Sequence, residues 1–421
     1  MRILLLGILG LICTVTVAHA QNNTSPYSII GIGDIEKSSF DRTTGMGHAG
    51  IALSSNRYFY QGNPASYSSL DEHFFYFETS TRFKSVSYAG TPITDITQNQ
   101  STDLQFKKLA LALKIKPRWA VSFGLLPFST VNYSFAGKKT IQGSNLVTDA
   151  YYKGSGSTNL AYIANSFTIS KNFSVGLQTS WLFGQIEETE SLSDQITDSA
   201  VVTNRNISVG NPYLKLGLQY KGKLSSKWDL ALGGTIANKT KVKANYSLLA
   251  KSGNTILIDD EYYKSNYFSL PINYTTGIAA IFKNAYTFAV DYNYQGWKET
   301  NISGVGYTLV NSQLFSAGAE YSKKASYMNT TYEKYHLQAG VFYNNSYLRM
   351  SGEQLKDYGF TIGAGAELSR TGLSGLAIQG ALEIGKRGTS DRGLIRENYT
   401  QFNVTLSYRD FWFSRKMKKY E

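Results

Sequence analysis

Enzyme chemistry on a protein usually starts from a histidine, a cysteine or a close pair of acids placed beside a nucleophile. The chain has four histidines (His19, His48, His73 and His336) and one cysteine, Cys13. His48 sits in a glycine-rich stretch, and His73 and His336 sit near the starts of strand-like segments. None belongs to a nucleophile motif, and no histidine–carboxylate cluster has the spacing of metal ligands. Phosphate-binding loops and dinucleotide fingerprints are absent as well. The three later histidines are expected to be solvated or interfacial. No enzyme, metal or cofactor is expected.

Charged residues in alternating segments are a different matter. Lys114, Asp291, Glu320, Glu367 and Glu383 fall on the polar face of segments whose other face is apolar. Three glutamates on neighbouring strands would hold a basic side chain from the N-terminal region, such as Arg42 or Arg57, more naturally than a bound carboxylate. The plain alternative is a polar, water-lined interior.

The elements that would position these residues are strands. Leu109, Leu111, Leu113 and Ile115 share one face, and Ala110, Ala112, Lys114 and Lys116 share the other. Phe288, Val290, Tyr292 and Tyr294 oppose Ala289, Asp291 and Asn293, and Phe402, Val404, Leu406 and Tyr408 oppose Asn403, Thr405 and Ser407. This period of two marks strands with one apolar and one polar face. About fourteen such segments run from residue 73 to 412, with sixteen as the second count, since Thr255–Ile258 reads as a hairpin extension. Short connections at 117–118, 171–172 and 283–284 alternate with longer ones at 84–104, 133–156 and 188–205. A soluble sandwich has no reason to sort its loops in this way. An even-numbered transmembrane barrel has short periplasmic turns and long outer loops.

Composition agrees with that reading. Thirty-one Tyr, 22 Phe and 38 Gly against 7 Pro favour strands. A mean hydropathy of −0.24 suits a barrel, in which only alternate residues face lipid. Arg2, the apolar run 3–17 and Ala18-His19-Ala20 form a signal peptide over residues 1–20. Without it no cysteine remains, and the net charge of +12 falls to +11 through loss of Arg2. The basic residues are scattered, so nucleic acid is not an expected partner. Outer-membrane lipid and lipopolysaccharide are.

The stretch from Gly45 to Ser66 has too few large side chains for a core of its own. Gly45, Gly47 and Gly50 permit close backbone packing, and Asn63-Pro64-Ala65 reads as a turn or helix boundary. Gly45-x-Gly47-x-Ala49-Gly50 followed by Phe59-x-x-x-Asn63-Pro64-Ala65 resembles the N-terminal hatch of the long-chain fatty-acid transporter (FadL/TodX-type) family of outer-membrane proteins. Other barrel families with a similar start, secretion-associated shuttle barrels among them, carry a comparable stretch. Leu270-Pro271, Gly277 and Asp291 to Trp297 resemble the transporter family's later strands. Gly154 to Tyr162 and Lys171 to Gly176 resemble its central hairpin. Tyr347-Leu-Arg-Met and Asp357-Tyr-Gly are similar to Bacteroidetes-like members.

The resemblance implies an all-β transmembrane antiparallel barrel of about 14 strands (73–421), with residues 21–72 as an N-terminal periplasmic plug or hatch, in the outer membrane of a Gram-negative bacterium. It implies passive uptake of a hydrophobic, fatty-acid-like small molecule. The family's ligand contacts have no residue-by-residue match here. The alternative is a non-transporting barrel, a shuttle or accessory subunit of a secretion or assembly complex with a protein partner. A closed, salt-bridged plug and no apolar tunnel would favour that alternative.

Overall fold

The computed structural model describes residues 25–90, 99–140, 147–193, 200–304, 306–327, 330–368 and 374–412. The expected signal peptide lies outside the described residues. The wall consists of β1 (Phe74–Gly90), β2 (Gln100–Lys116), β3 (Trp119–Thr140), β4 (Val147–Thr168), β5 (Phe173–Ser193) and β6 (Ala200–Lys223). Then come β7 (Trp228–Ala237 continued by Thr240–Ser252) and β8 (Thr255–Leu270 continued by Asn273–Phe282). It is completed by β9 (Tyr286–Gln295), β10 (Ser312–Tyr327), β11 (Thr330–Met350), β12 (Glu353–Glu367), β13 (Gly375–Arg387) and β14 (Ile395–Phe411).

Each strand pairs antiparallel with the next, and β14 returns to β1 from Ile395↔Gly90 to Phe411↔Phe74, so the sheet closes. Closure removes the free edges that an open sheet would expose. The two parts of β7 lie along one partner, β6, and the two parts of β8 lie along β7. The ring therefore has fourteen strands rather than sixteen. Thr255 pairs with Ser252 across a tight turn, so the expected hairpin extension lengthens β7 and β8 without adding to the ring.

The exterior is apolar where a soluble protein would be polar. Ile163 is 58 % exposed while the adjacent Ala164 is 0 % exposed, and Leu216 is 52 % exposed. Such a surface is stable only in hydrocarbon. At the short-turn end it is edged by aromatic contacts, including Trp119 stacked on Phe167 at 6.3 Å.

The long connections expected from the sequence are mostly strand. β3 and β4 each have 22 residues and pair from Trp119↔Phe167 to Thr140↔Val147. At about 3.3 Å per residue and a tilt near 40° such a strand rises roughly 55 Å, about twice an apolar band of about 25 Å. Above the membrane both faces can be polar, so hydrophobic alternation fades while the ladder continues. At the other end the β10–β11 ladder likewise runs on, from Lys323↔Tyr335 to Tyr327↔Thr330.

Bulges break the strict alternation at two places that matter. Ser80 pairs with Lys108 but Thr81 pairs with Phe106, leaving Lys107 as the extra residue. Lys107 and Lys108 then both point inward and are both buried; a bulge re-aims a side chain in this way. A second register shift, between Lys323↔Tyr335 and Lys324↔Glu333, re-aims Glu333.

Candidate functional site

Residues 25–72 contain little regular structure: short 3₁₀ turns at Pro26–Ile29, Arg42–Met46 and Pro64–Ser69, and the two-residue strand Asp34–Ile35 beside β3. Its contacts run round the ring, and its backbone approaches the wall where the wall has glycine. A Cβ on Gly340 would lie 2.2 Å from the Gly47 nitrogen, and one on Gly217 would lie 2.2 Å from Asn63 Oδ1. Gly47 itself has φ +64° and lies against Val341, so a larger residue is excluded there by both conformation and space.

Asn63 is fully buried. Its Oδ1 accepts from Ala65 N–H at 3.0 Å, capping the turn that Pro64 begins, and its Nδ2 donates to the carbonyls of Ile51 (2.9 Å) and Leu218 (3.0 Å). One side chain thus caps the segment and ties it to β6. Asp291 makes a similar bridge from β9: its Oδ2 accepts from the N–H groups of Gly50 (2.6 Å) and Ile51 (2.8 Å).

Ion pairs surround this framework. Arg42 donates to Glu320 (2.6 and 2.8 Å) and to Glu333 (2.7 and 2.8 Å), placing one guanidinium between two carboxylates. Arg57 pairs with Glu367 at 3.1 Å. Lys37 pairs with Asp357 (2.8 Å) and Glu383 (3.1 Å), and His48 meets the other oxygen of Glu383 at 2.9 Å. Asp34 pairs with Arg387 at 2.6 Å, and Glu36 with Lys107 (2.5 Å) and Arg82 (3.0 Å). Burial alone would raise the Glu36 carboxyl, but Arg82 and Lys107 outweigh it and hold its pKa at about 2. Burial likewise disfavours the charged form of Lys37, yet the carboxylates of Asp357 and Glu383 raise its pKa above the usual value.

Of the polar residues singled out from the sequence, Asp291, Glu320, Glu367 and Glu383 therefore all face residues 25–72, and Lys114 does not. Lys114 is half-buried near the β2–β3 turn and takes no part in the described ion pairs. Sequence parity missed Glu333 because the bulge at Lys334 reverses the face. It missed Asp34, Glu36 and Lys37 because an aperiodic segment announces no direction for its side chains. Of the three histidines expected to be solvated or interfacial, His73 is exposed. His336 is buried and the side chain of His48 is 3 % exposed, and each lies against a glutamate, His336 Nδ1 being 2.8 Å from Glu333. Among the described residues no group of three or more His, Cys, Asp or Glu is arranged to hold a metal.

Two apolar layers flank the charged zone. Toward the short turns, Phe59, Tyr67 and Leu70 pack on Tyr76, Ala110, Ala112 and Ala164. Ala112 is thus packed rather than wet, which corrects the reading of that face as simply water-lined. Toward the long hairpins, Tyr27, Ile30 and Ile32 join Leu182, Ile186, Ile207, Phe268 and Trp297 in a larger cluster. Between the layers lies a cavity of about 330 Å³. Its lining is mixed, with Phe128, Tyr213 and Trp297 beside Lys84, Gln178 and Lys215.

A closed antiparallel ring with an apolar exterior and an ion-paired interior defines an outer-membrane β-barrel. The chain belongs to the BamG family, whose model matches residues 2–421. Among solved structures, the CymD monoaromatic hydrocarbon channel is similar with a TM-score of 0.60 and 14% identity, over 92% of this chain and 99% of that one. A Pseudomonas aeruginosa FadL homologue is similar at 0.58 and 14%, over 90% and 100% of the two chains. The Ralstonia pickettii toluene transporter TbuX gives 0.59 and 16%, over 88% and 97%. At these identities the likeness is one of fold. No curated protein sequence matches the chain.

Proposed function

We propose that the protein is a channel for passive uptake of small hydrophobic molecules, with residues 21–72 as its hatch. The observation that carries this reading is the apolar cluster toward the long hairpins, capped by Tyr27, Ile30 and Ile32 and leading to the mixed cavity. A molecule displacing those three side chains would meet apolar surface and then the cavity. Beyond it the charged zone closes the path, so passage requires residues 41–65 to shift. The resemblance of Gly45–Ala65 to the FadL/TodX-type hatch supports this role for Gly45, Gly47, Gly50, Asn63, Pro64 and Ala65. So does the shared fold with hydrocarbon channels. Kinship with Bacteroidetes-like transporters belongs to the same proposal, as do lipopolysaccharide contacts at the long hairpins. No catalytic role is proposed.

A second reading, an accessory subunit of an outer-membrane assembly or secretion complex, is favoured by two observations. The segment is held to the wall by many buried ion pairs, and the chain belongs to the Bam-related BamG family. Uptake of a radiolabelled monoaromatic hydrocarbon and of a long-chain fatty acid, measured in cells with and without the gene, separates the two. Reduced uptake on deletion supports the channel. Unchanged uptake, with a protein partner co-purifying from native membranes, supports the accessory subunit and overturns the channel.

A further inference from the structure

The short-turn end of the barrel carries an uneven charge. Lys116 and Arg118 flank the β2–β3 turn, Lys171 lies in the β4–β5 turn, Lys227 precedes β7, Lys283 lies between β8 and β9, and Lys323 lies on β10. All six are exposed, and none takes part in an ion pair among the described residues. The acids at this end, Asp71, Glu72, Asp229, Glu333 and Asp410, are fewer and partly spent. Asp71 pairs with Arg409, Asp410 accepts from Tyr408, and Glu333 is taken by Arg42.

These cations lie just beyond a continuous aromatic edge. From β7 to β11, Trp228 meets Phe282 at 4.7 Å, Tyr286 meets Tyr321 at 5.1 Å, and Tyr321 meets Tyr335 at 6.4 Å. Tyr286 lies 6.4 Å from Phe282, so the rings run unbroken across five strands. Aromatic side chains settle at the boundary between hydrocarbon and headgroups. A lysine one to three residues further along the strand therefore sits at the level of the phosphates. Its flexible stem can lie along the rings while the ammonium reaches outward; Lys283 Nζ is 5.2 Å from the Phe282 ring centre.

We infer that this rim is a binding surface for anionic phospholipid headgroups of the leaflet in which the short turns end. The unpaired ammonium and guanidinium groups take the lipid phosphate and the aromatic edge fixes the depth. An exposed basic residue near an anionic membrane surface favours the anionic lipid by about fivefold. Several acting on different annular lipids enrich the whole shell by about that factor rather than multiplying it. The inference does not depend on whether the barrel transports.

The test uses full-length protein in nanodiscs of phosphatidylcholine with phosphatidylglycerol. Tightly held lipids are counted by native mass spectrometry after the disc is stripped. Wild type should retain phosphatidylglycerol over phosphatidylcholine at about five times the bulk ratio. The variant K116Q/R118Q/K171Q/K227Q/K283Q/K323Q should fall to the bulk ratio, and the variant that carries arginine at all six positions should keep the enrichment. A control at the other end, K138Q/K251Q/K298Q/K356Q, should behave as wild type. Heat-modifiable gel migration verifies that each barrel is closed. Equal enrichment in wild type and the rim glutamine variant overturns the inference. So does an equal loss in the control, or unchanged lipid with loss of an acidic protein co-purifying from native membranes.

Discussion

Replacing Arg42 with methionine should loosen the N-terminal segment by a predictable amount. Arg42 is 5 % exposed and is the shared cation of Glu320 and Glu333, both nearly as buried. Removing one member of a buried ion pair costs about 3–5 kcal/mol, chiefly because the remaining charge is stranded. The lower end applies here, since each carboxylate keeps another donor. Gln338 Nε2 gives Glu320 a hydrogen bond at 2.6 Å, and Ser322 Oγ gives Glu333 one at 2.6 Å. About 3 kcal/mol corresponds to roughly a hundredfold rise in the undocked population. Hydrogen exchange of the amides from Asp41 to Gly50, in detergent-solubilised protein, reads that population directly. Arg42→Lys should fall between wild type and Arg42→Met, because an ammonium cannot fork across two carboxylates. Adding Glu320→Gln and Glu333→Gln to Arg42→Met should recover most of the protection, since the stranded charge is gone. Unchanged exchange in Arg42→Met, or no recovery in the triple variant, would refute the argument.

Three further outcomes follow from the same geometry. Leu111→Arg or Val404→Arg on the lipid face should destabilise the barrel by about 2–4 kcal/mol near the membrane midplane, as read by unfolding in urea from vesicles. Gly47→Val should block docking of the segment while leaving the closed barrel intact, giving rapid exchange from Arg42 to Gly50 with normal heat-modifiable migration. Glu36 makes docking pH-dependent at the acid end only. Its folded pKa of about 2 lies below the ordinary 4.5, so its contribution is complete above pH 4.5 and is lost as pH falls toward 2. Protection of its neighbours should weaken in that window, and Glu36→Gln should remove that part of the pH dependence.

Much of the wall is legible in the sequence because a strand in a membrane must alternate. Ile163 and Ala164, or Val404 and Thr405, declare their faces by type, and fourteen alternating segments account for the ring. What escapes is whatever departs from a period of two. The bulge that sends both Lys107 and Lys108 inward has no signature in composition, and neither has the one that turns Glu333 toward Arg42. Hairpins above the membrane look like loops, because without lipid their outer faces lose the apolar residues that mark a strand. The segment from Ser25 to Leu70 is least legible. Its glycines announce close packing, but the partners of Asp34, Glu36 and Lys37 lie in strands far along the chain, where only the closed ring brings them near.

The most direct test of the channel account is to lock the hatch. A Cβ on Gly45 would stand 3.2 Å from Gln338 Cβ, close to the separation that a disulfide spans, with Gly363 Cα at 2.9 Å requiring a small shift. The chain's one cysteine, Cys13, lies in the expected signal peptide. The variant G45C/Q338C, reconstituted in vesicles, would be assayed for entry of a monoaromatic hydrocarbon before and after reduction, beside Q338C alone. The account predicts slow entry when the pair is oxidised and entry at the Q338C rate once it is reduced. Equal entry in both states would contradict it, because the segment would then have no need to move.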